Sequence, residues 1–351
     1  MRWLDVWIRA VIVPAGRRAS AIWVGCAVVA AVIFGPTGLQ PSDLTELALH
    51  APLVGAMLAF TWILIFAPTA RLVLRAEGAA YLRSLPGPHV APFLIGTATL
   101  FALQAPWVAL WVVGDGIRGL AIVVAVTLVI VVLARWRPPR AVAKWPNWRT
   151  DGAALRAIQL RALRRRAGDA LVRGIGLALL AGGTAGLFIR NNHLRESAAA
   201  IMGASVIAVV LVPAVVGVLL VIVGAHRETA WLAATLGISR GQRVLAVVYA
   251  IAIVQLLACG IAIGAASVVA DVNWTTAAWL LGTSLGVALG TALWGARVLL
   301  AAEDSPSIAS RTVAGSVVVA SLAILCLGLF GVPGLAAFIA TGVLALATVR
   351  E

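Results

Sequence analysis

The sequence predicts an all-α, polytopic membrane protein of about ten transmembrane helices. They fall into two parallel repeats, 4 + 6, with both termini cytoplasmic and an interfacial elbow helix before each repeat. Three observations carry this reading. Apolar residues make up 62% of the 351-residue chain and charged residues 11%, far from the balance of soluble domains. The apolar residues gather into runs able to cross about 30 Å of hydrocarbon as helices, and no alternating barrel pattern accompanies them. The chain is also self-similar at an offset of 151 residues, which lays Gln104 on Gln255, Glu77 on Glu228 and Leu85 on Leu236.

The first repeat covers residues 1–134. "WLDVWIRAVIVPAGRR" (3–18) reads as an amphipathic elbow with basic residues on both flanks, unlike a cleaved signal. Apolar runs at 21–35, 51–69, 90–113 and 119–134 supply four spans. The outer loop at 35–50 is too short for a domain. Within the third run, Pro106 marks a bend beside Gln104. Residues 135–153, "RWRPPRAVAKWPNWRT" and its continuation, form a basic linker: its prolines discourage a continuous helix and its tryptophans suit a membrane interface.

The second repeat covers 154–351. "ALRAIQLRALRRRAGDA" (154–170) sets Leu155, Ile158, Leu160 and Leu163 among arginines at helical spacing. It is expected to lie along the interface, apolar side in the acyl boundary. Runs at 174–189, 198–224, 244–270, 275–296, 312–331 and 333–349 supply six spans, the last two turned at "GVPG". "GTSLGVALGTALWG" (282–295) carries small residues at i, i+4 and i+8, suited to close helix packing.

The chain carries 27 Lys and Arg against 13 Asp and Glu, a net charge of +14. With Met1 in the cytoplasm, only Arg118, Arg190 and Arg195 of those cations fall outside cytoplasmic segments. This is the positive-inside asymmetry, so the charge reports topology and contact with anionic lipid headgroups. No nucleic-acid-binding motif accompanies it, and nucleic acid is not an expected partner. The Arg-rich, nearly Lys-free composition points to a GC-rich bacterial genome, with the bacterial plasma (inner) membrane as the expected location.

Several chemistries lack their residues. No G-x-x-x-x-G-K-[ST] occurs and Lys144 is the only lysine, so the chain carries no P-loop. None of the 13 acidic residues falls in mid-span, which argues against ion-coupled carriers. There is no H-E-x-x-H, no Ser/His pair at matched depth and no paired intramembrane Asp. The histidines, His50, His89, His193 and His226, fall in loops on different sides of the membrane, against paired haem ligation. Cys26, Cys259 and Cys326 lie in spans without metal spacing. No catalytic residue, metal or cofactor is expected in this chain, and the expected role is not enzymatic.

What remains is a short half-apolar helix, a stop and a restart: "HRETAWLAATLGISRGQRVLA" (226–246). Glu228 suits the first turn of a short helix, Gly237 a left-handed cap, and Ser239 with Gln242 a capping box opening the next span. Trp231 and Leu232 lie on this helix. The first repeat has "EGAAYLRSLPGPHVA" (77–91), with Tyr81, and with Pro86 as the stop. The polar residues inside spans include Gln104, Tyr249, Gln255, Ser205 and Ser284, and of these Gln104, Tyr249 and Gln255 are candidates for a substrate path. The plainer alternative for the two glutamines is a helix–helix hydrogen bond.

The 227–246 stretch resembles the coupling loop of ABC-2-type permeases, the membrane subunits of ATP-driven exporters. The resemblance extends to layout, since elbow, two spans, this loop and four spans are all found in 154–351. It implies that Glu228, Leu236, Gly237, Ser239 and Arg240 dock on an ATPase. The first loop keeps Glu77, Leu85 and Pro86 but has Pro88-His89 where the second has Ser239-Arg240. The implied function is a permease subunit that moves an amphipathic or hydrophobic substrate. The implied partners are separate ABC ATPase subunits in two copies, which bind ATP-Mg; the chain itself would act as a homodimer or a fused pseudo-dimer. The loop is also similar to that of the exporters related to cell-division and macrolide-efflux membrane subunits, but this chain has no loop able to hold their large extracytoplasmic domain. The alternatives from other classes are a non-catalytic membrane scaffold docking a soluble partner and an ATP-independent secondary carrier.

Overall fold

The computed structural model describes residues 3–35, 39–75, 91–135, 151–192, 196–270, 272–301 and 308–348, and the described residues are helical with no strand. Among the described residues seven helices are long and apolar enough to cross a membrane, which makes this a multi-pass membrane protein. The chain divides into two compact units, Met1–Val142 and Ala143–Glu351.

In the first unit α1 (Trp3–Trp7) passes through a π-helical turn (Ile8–Ile12) into α2 (Val13–Phe34). The expected separate elbow is therefore absent here: the helix runs on into the first apolar run. Pro14 stands just past the π-helical turn, and the helix runs on through it. α3 (Pro41–His50) lies in the stretch read as a loop too short for a domain. The Gln40 backbone N–H donates to Asp43 Oδ2 at 2.7 Å, closing its first turn. α4 (Pro52–Arg75) follows, then α5 (Ala91–Leu103) and α6 (Ala105–Arg135).

The break between α5 and α6 falls at Gln104, two residues before Pro106. Proline offers no N–H to the preceding turn and disfavours helix in the residue before it. The Leu103 carbonyl near this break accepts the Trp23 indole N–H at 2.9 Å. α6 itself reverses at Gly116 (φ 57°, ψ −125°). A Cβ on Gly119 would lie 1.9 Å from the Trp111 carbonyl oxygen, so only glycine lets the legs close this tightly. The core of the unit is aromatic: Trp62 stacks on Phe66 (5.8 Å) and on Trp107 (5.3 Å), and Trp107 meets Trp111 edge-on (5.6 Å).

The second unit opens with α7 (Asp151–Arg166) and continues through α8 (Gly168–Asn192), α9 (Glu196–Thr235), α10 (Arg240–Ala270), α11 (Trp274–Ala301) and α12 (Ile308–Ala347). The apolar side of α7, expected in lipid, is not left there: its buried residues face protein and include Gln159. Leu155, Ala157 and Leu163 are buried, and Leu163 joins a core with Ile222 of α9, Val247 and Ile251 of α10, and Ala292 of α11. Protein rather than acyl chain covers it, because α9 and α10 present a matching apolar surface.

This unit packs through small residues. A Cβ on Gly182 would lie 1.8 Å from the Ala262 carbonyl oxygen, and one on Gly186 2.8 Å from that of Ala266. α8 and α10 thus meet backbone to backbone through a G-x-x-x-G face. The expected small-residue face of 282–295 does pack closely: Gly286 meets Leu335 and Gly290 meets Phe338. α12 reverses at Gly331 (φ 63°), within the expected "GVPG" turn.

Candidate functional site

Two features of the second unit hold the sequence-derived candidates: the corner between α9 and α10, and a cavity among α9, α10, α11 and α12.

The corner differs from expectation at its start. Glu228 is not in the first turn of a short helix, since α9 runs unbroken over 40 residues from Glu196 to Thr235. Nothing between Gly224 and Glu228 breaks a helix, and adding residues to an existing helix is easy once it is nucleated. His226 likewise lies inside α9, 3% exposed, rather than in a loop. The favourable dipole at a helix start therefore does not act on Glu228. Its carboxylate instead takes both oxygens to Arg166 of α7 at 2.6 Å. Both side chains are more than half exposed (55% and 58%), so the pair orients the corner more than it stabilises it.

The stop is built as the sequence implies. Gly237 has φ +66°. Its N–H donates to the Ala234 carbonyl (3.2 Å), and the Ile238 N–H to that of Ala233 (2.9 Å). These are the paired bonds of a Schellman cap. Ser239 then starts α10, its hydroxyl accepting the Gln242 N–H at 3.3 Å. Two cap motifs thus join two long helices through four residues. Trp231 (67%) and Leu236 (60%) are exposed on this corner, and Leu232 is half-buried. Along its axis α9 measures about 60 Å at about 1.5 Å per residue, twice the hydrocarbon thickness. Of Arg240 only the backbone is described. Glu77, Tyr81, Leu85 and Pro86, the counterparts in the first repeat, lie outside the described residues.

The three substrate-path candidates part company. Gln104 is fully buried and both ends of its amide are taken: Oε1 accepts the Trp62 indole N–H at 2.8 Å, and Nε2 donates to Thr127 Oγ1 and to the Leu100 carbonyl, each at 3.3 Å. It fastens α4 to both legs of the helical hairpin and takes the plainer, helix–helix role. Tyr249 is 41% exposed, with the Arg156 guanidinium 5.4 Å from its ring centre, a cation–π contact away from the cavity. Gln255 alone of the three lines the cavity.

That cavity has a volume of ≈ 60 Å³. Ile207, Leu211 and Val215 of α9 and Ile251 of α10 make most of its wall apolar, and among the described residues no charged one lines it. Gln255 Nε2 donates to Thr291 Oγ1 at 3.0 Å, but Gln255 Oε1 has no hydrogen-bond partner. Ser284 Oγ, on the same cavity, has none either. The two residues are 6% and 2% exposed. Cys259, also on the wall, directs its thiol to the Ser284 carbonyl at 3.7 Å. Gln255 lies at the middle of α10, about 22 Å from its first residue at about 1.5 Å per residue. The cavity therefore sits beside the middle of α10.

Comparison of the chain with family models, with curated proteins and with solved structures returns no match. The functional reading rests on this geometry and on the sequence motif alone.

Sequence reading had noted Ser284 as a polar residue in a span but did not join it to Gln255. The signal was available: counted outward from the 271–273 connection, Cys259 falls within a residue of Ser284 and Gln255 within two of Thr291.

Proposed function

We propose that this chain is the membrane subunit of an ATP-driven exporter of the ABC-2 kind, seated in a bacterial plasma membrane with both termini cytoplasmic. The ATP-binding subunits are separate polypeptides, because this sequence has no P-loop. The observation that carries the reading is the α9–α10 corner. It is stiffly capped at both of its ends, it carries Trp231 and Leu236 on its surface, and it joins directly to two helices that reach the cavity. A partner that grips this corner moves both helices at once. Ligand-dependent closure of two ATPase subunits would shift the population between inward- and outward-open arrangements.

Ten spans in a 4 + 6 arrangement agree with two features: the reversals at Gly116 and Gly331 divide each of two apolar helices into antiparallel legs. A homodimer or a fused pseudo-dimer presents two such corners to two ATPases. Purification of the full chain from its native membrane tests the reading. A P-loop ATPase is expected to co-purify, and its ATP hydrolysis in vesicles is expected to fall several-fold with Leu236→Asp. Recovery of the chain with no ATPase, and no nucleotide dependence of any activity, would overturn it in favour of a passive scaffold built on the same corner.

A further inference from the structure

We infer that the cavity among α9, α10, α11 and α12 is a binding site for a neutral amphiphile with a hydroxyl head, which donates to Gln255 Oε1 and pairs with Ser284 Oγ. This names the cargo class of the permease reading and rests on it, although the site itself is testable without any ATPase.

The argument starts from two unpaired polar atoms. A buried polar group without a partner is costly and uncommon in folded proteins. Gln255 Oε1 and Ser284 Oγ are both unpaired, both buried and both on one cavity wall. They come from different helices, so no single helix distortion accounts for the pair. The same side chain at the repeat-related position shows that a glutamine at this depth is readily satisfied. Gln104 has a tryptophan donor for its Oε1, whereas at the 151-residue offset Trp62 falls on Pro213, a residue with no N–H to give.

The chemistry of the guest follows. Gln255 Oε1 only accepts, so the guest must bring an N–H or O–H. Ser284 Oγ takes either role. Among the described residues no charged side chain lines the cavity, and an ion among membrane helices without a counter-charge is disfavoured. That removes carboxylate, phosphate and ammonium heads. The ≈ 60 Å³ of space holds about four water-sized groups at about 15 Å³ each, enough for a hydroxyl head and its first carbons. The apolar side chains of Ile207, Leu211 and Val215 suit an alkyl segment. A compact hydroxyl on a hydrocarbon tail meets all of these terms, and the tail continues into the lipid from which such a molecule arrives.

The experiment uses the purified full chain in phosphatidylcholine vesicles and two photoreactive probes. One is a twelve-carbon primary alcohol with a diazirine near the hydroxyl; the other is the same diazirine on the matching alkane. The alcohol is expected to label the peptides that hold residues 251–259 and 284–291, with excess 1-dodecanol suppressing it. Gln255→Leu and Ser284→Ala are each expected to reduce that labelling at least five-fold. Thr184→Val, which removes a buried hydroxyl of α8 away from the cavity, is expected to leave it unchanged. Two substitutions on separate helices keep the test decisive should one fail to fold. Equal labelling by the alkane, labelling unmoved by both cavity variants, or labelling confined to other peptides would overturn the proposal and leave the cavity to water or to no guest. Loss of labelling sinks this site but not the permease reading, and an absent ATPase does the reverse.

Discussion

Gln104 and Gln255 occupy corresponding places in the two halves of the sequence, yet their surroundings differ in kind. In the first unit a tryptophan-rich core closes on the amide, and every polar end of Gln104 is bonded. In the second unit the helices meet through glycine and alanine, and Gln255 keeps one bond and one unpaired oxygen beside open space. The difference teaches that one polar residue at one depth serves either as a fastener or as a reception point. The bulk and donors of the neighbours decide which. A tryptophan-rich core closes off its glutamine, and a core of small residues leaves room beside its own.

The comparison breaks most visibly where bulk does the work. Trp107→Ala removes a ring buried to 3% exposure that stacks on Trp62 and meets Trp111 edge-on. A loss of about 3–5 kcal/mol is expected from the lost contacts and the cavity left behind, read as a large fall in unfolding temperature in detergent micelles. The second unit should fail differently, through crowding. Gly182→Val puts side-chain atoms where the Ala262 carbonyl sits, and the α8–α10 contact should open at a cost of about 1–3 kcal/mol, measured the same way.

The sharpest test is the matched pair. Gln104→Leu orphans the Trp62 indole N–H and should cost about 1–2 kcal/mol, between the cost of an unpaired buried donor and the mean of about 0.6 kcal/mol for membrane helix–helix bonds. Gln255→Leu removes an oxygen that already lacks a partner. Its one partner, Thr291 Oγ1, keeps a 2.8 Å bond to the Val287 carbonyl. The melting temperature of this variant should therefore hold or rise slightly. Equal losses in the two variants would erase the distinction between the halves.

Much of the scaffold is legible without coordinates, because the features that set it act locally. Long apolar runs must be helical in lipid, where each backbone group needs a partner within its own segment. Glycine and proline mark the breaks: Gly237 and Ser239 at the corner, Gly331 in the last reversal, Pro106 beside the kink. The helix in the outer loop escaped this reading because its signals, Pro41 and Asp43 after Gln40, are short and lie outside the apolar runs. The length of α9 is not legible this way, because its polar residues suggest a boundary where no breaker stands.

By itself, then, the sequence determined an all-helical membrane chain, the places where its helices stop, and the polar residues set inside apolar runs. Only the tertiary structure decided which of those polar residues are satisfied, that Glu228 is held by Arg166, that the apolar side of α7 faces protein, and that Gln255 and Ser284 share one space. The reason is physical. Helix formation and termination depend on neighbours within a few residues, whereas a hydrogen-bond partner or a void depends on what another helix carries at the same depth.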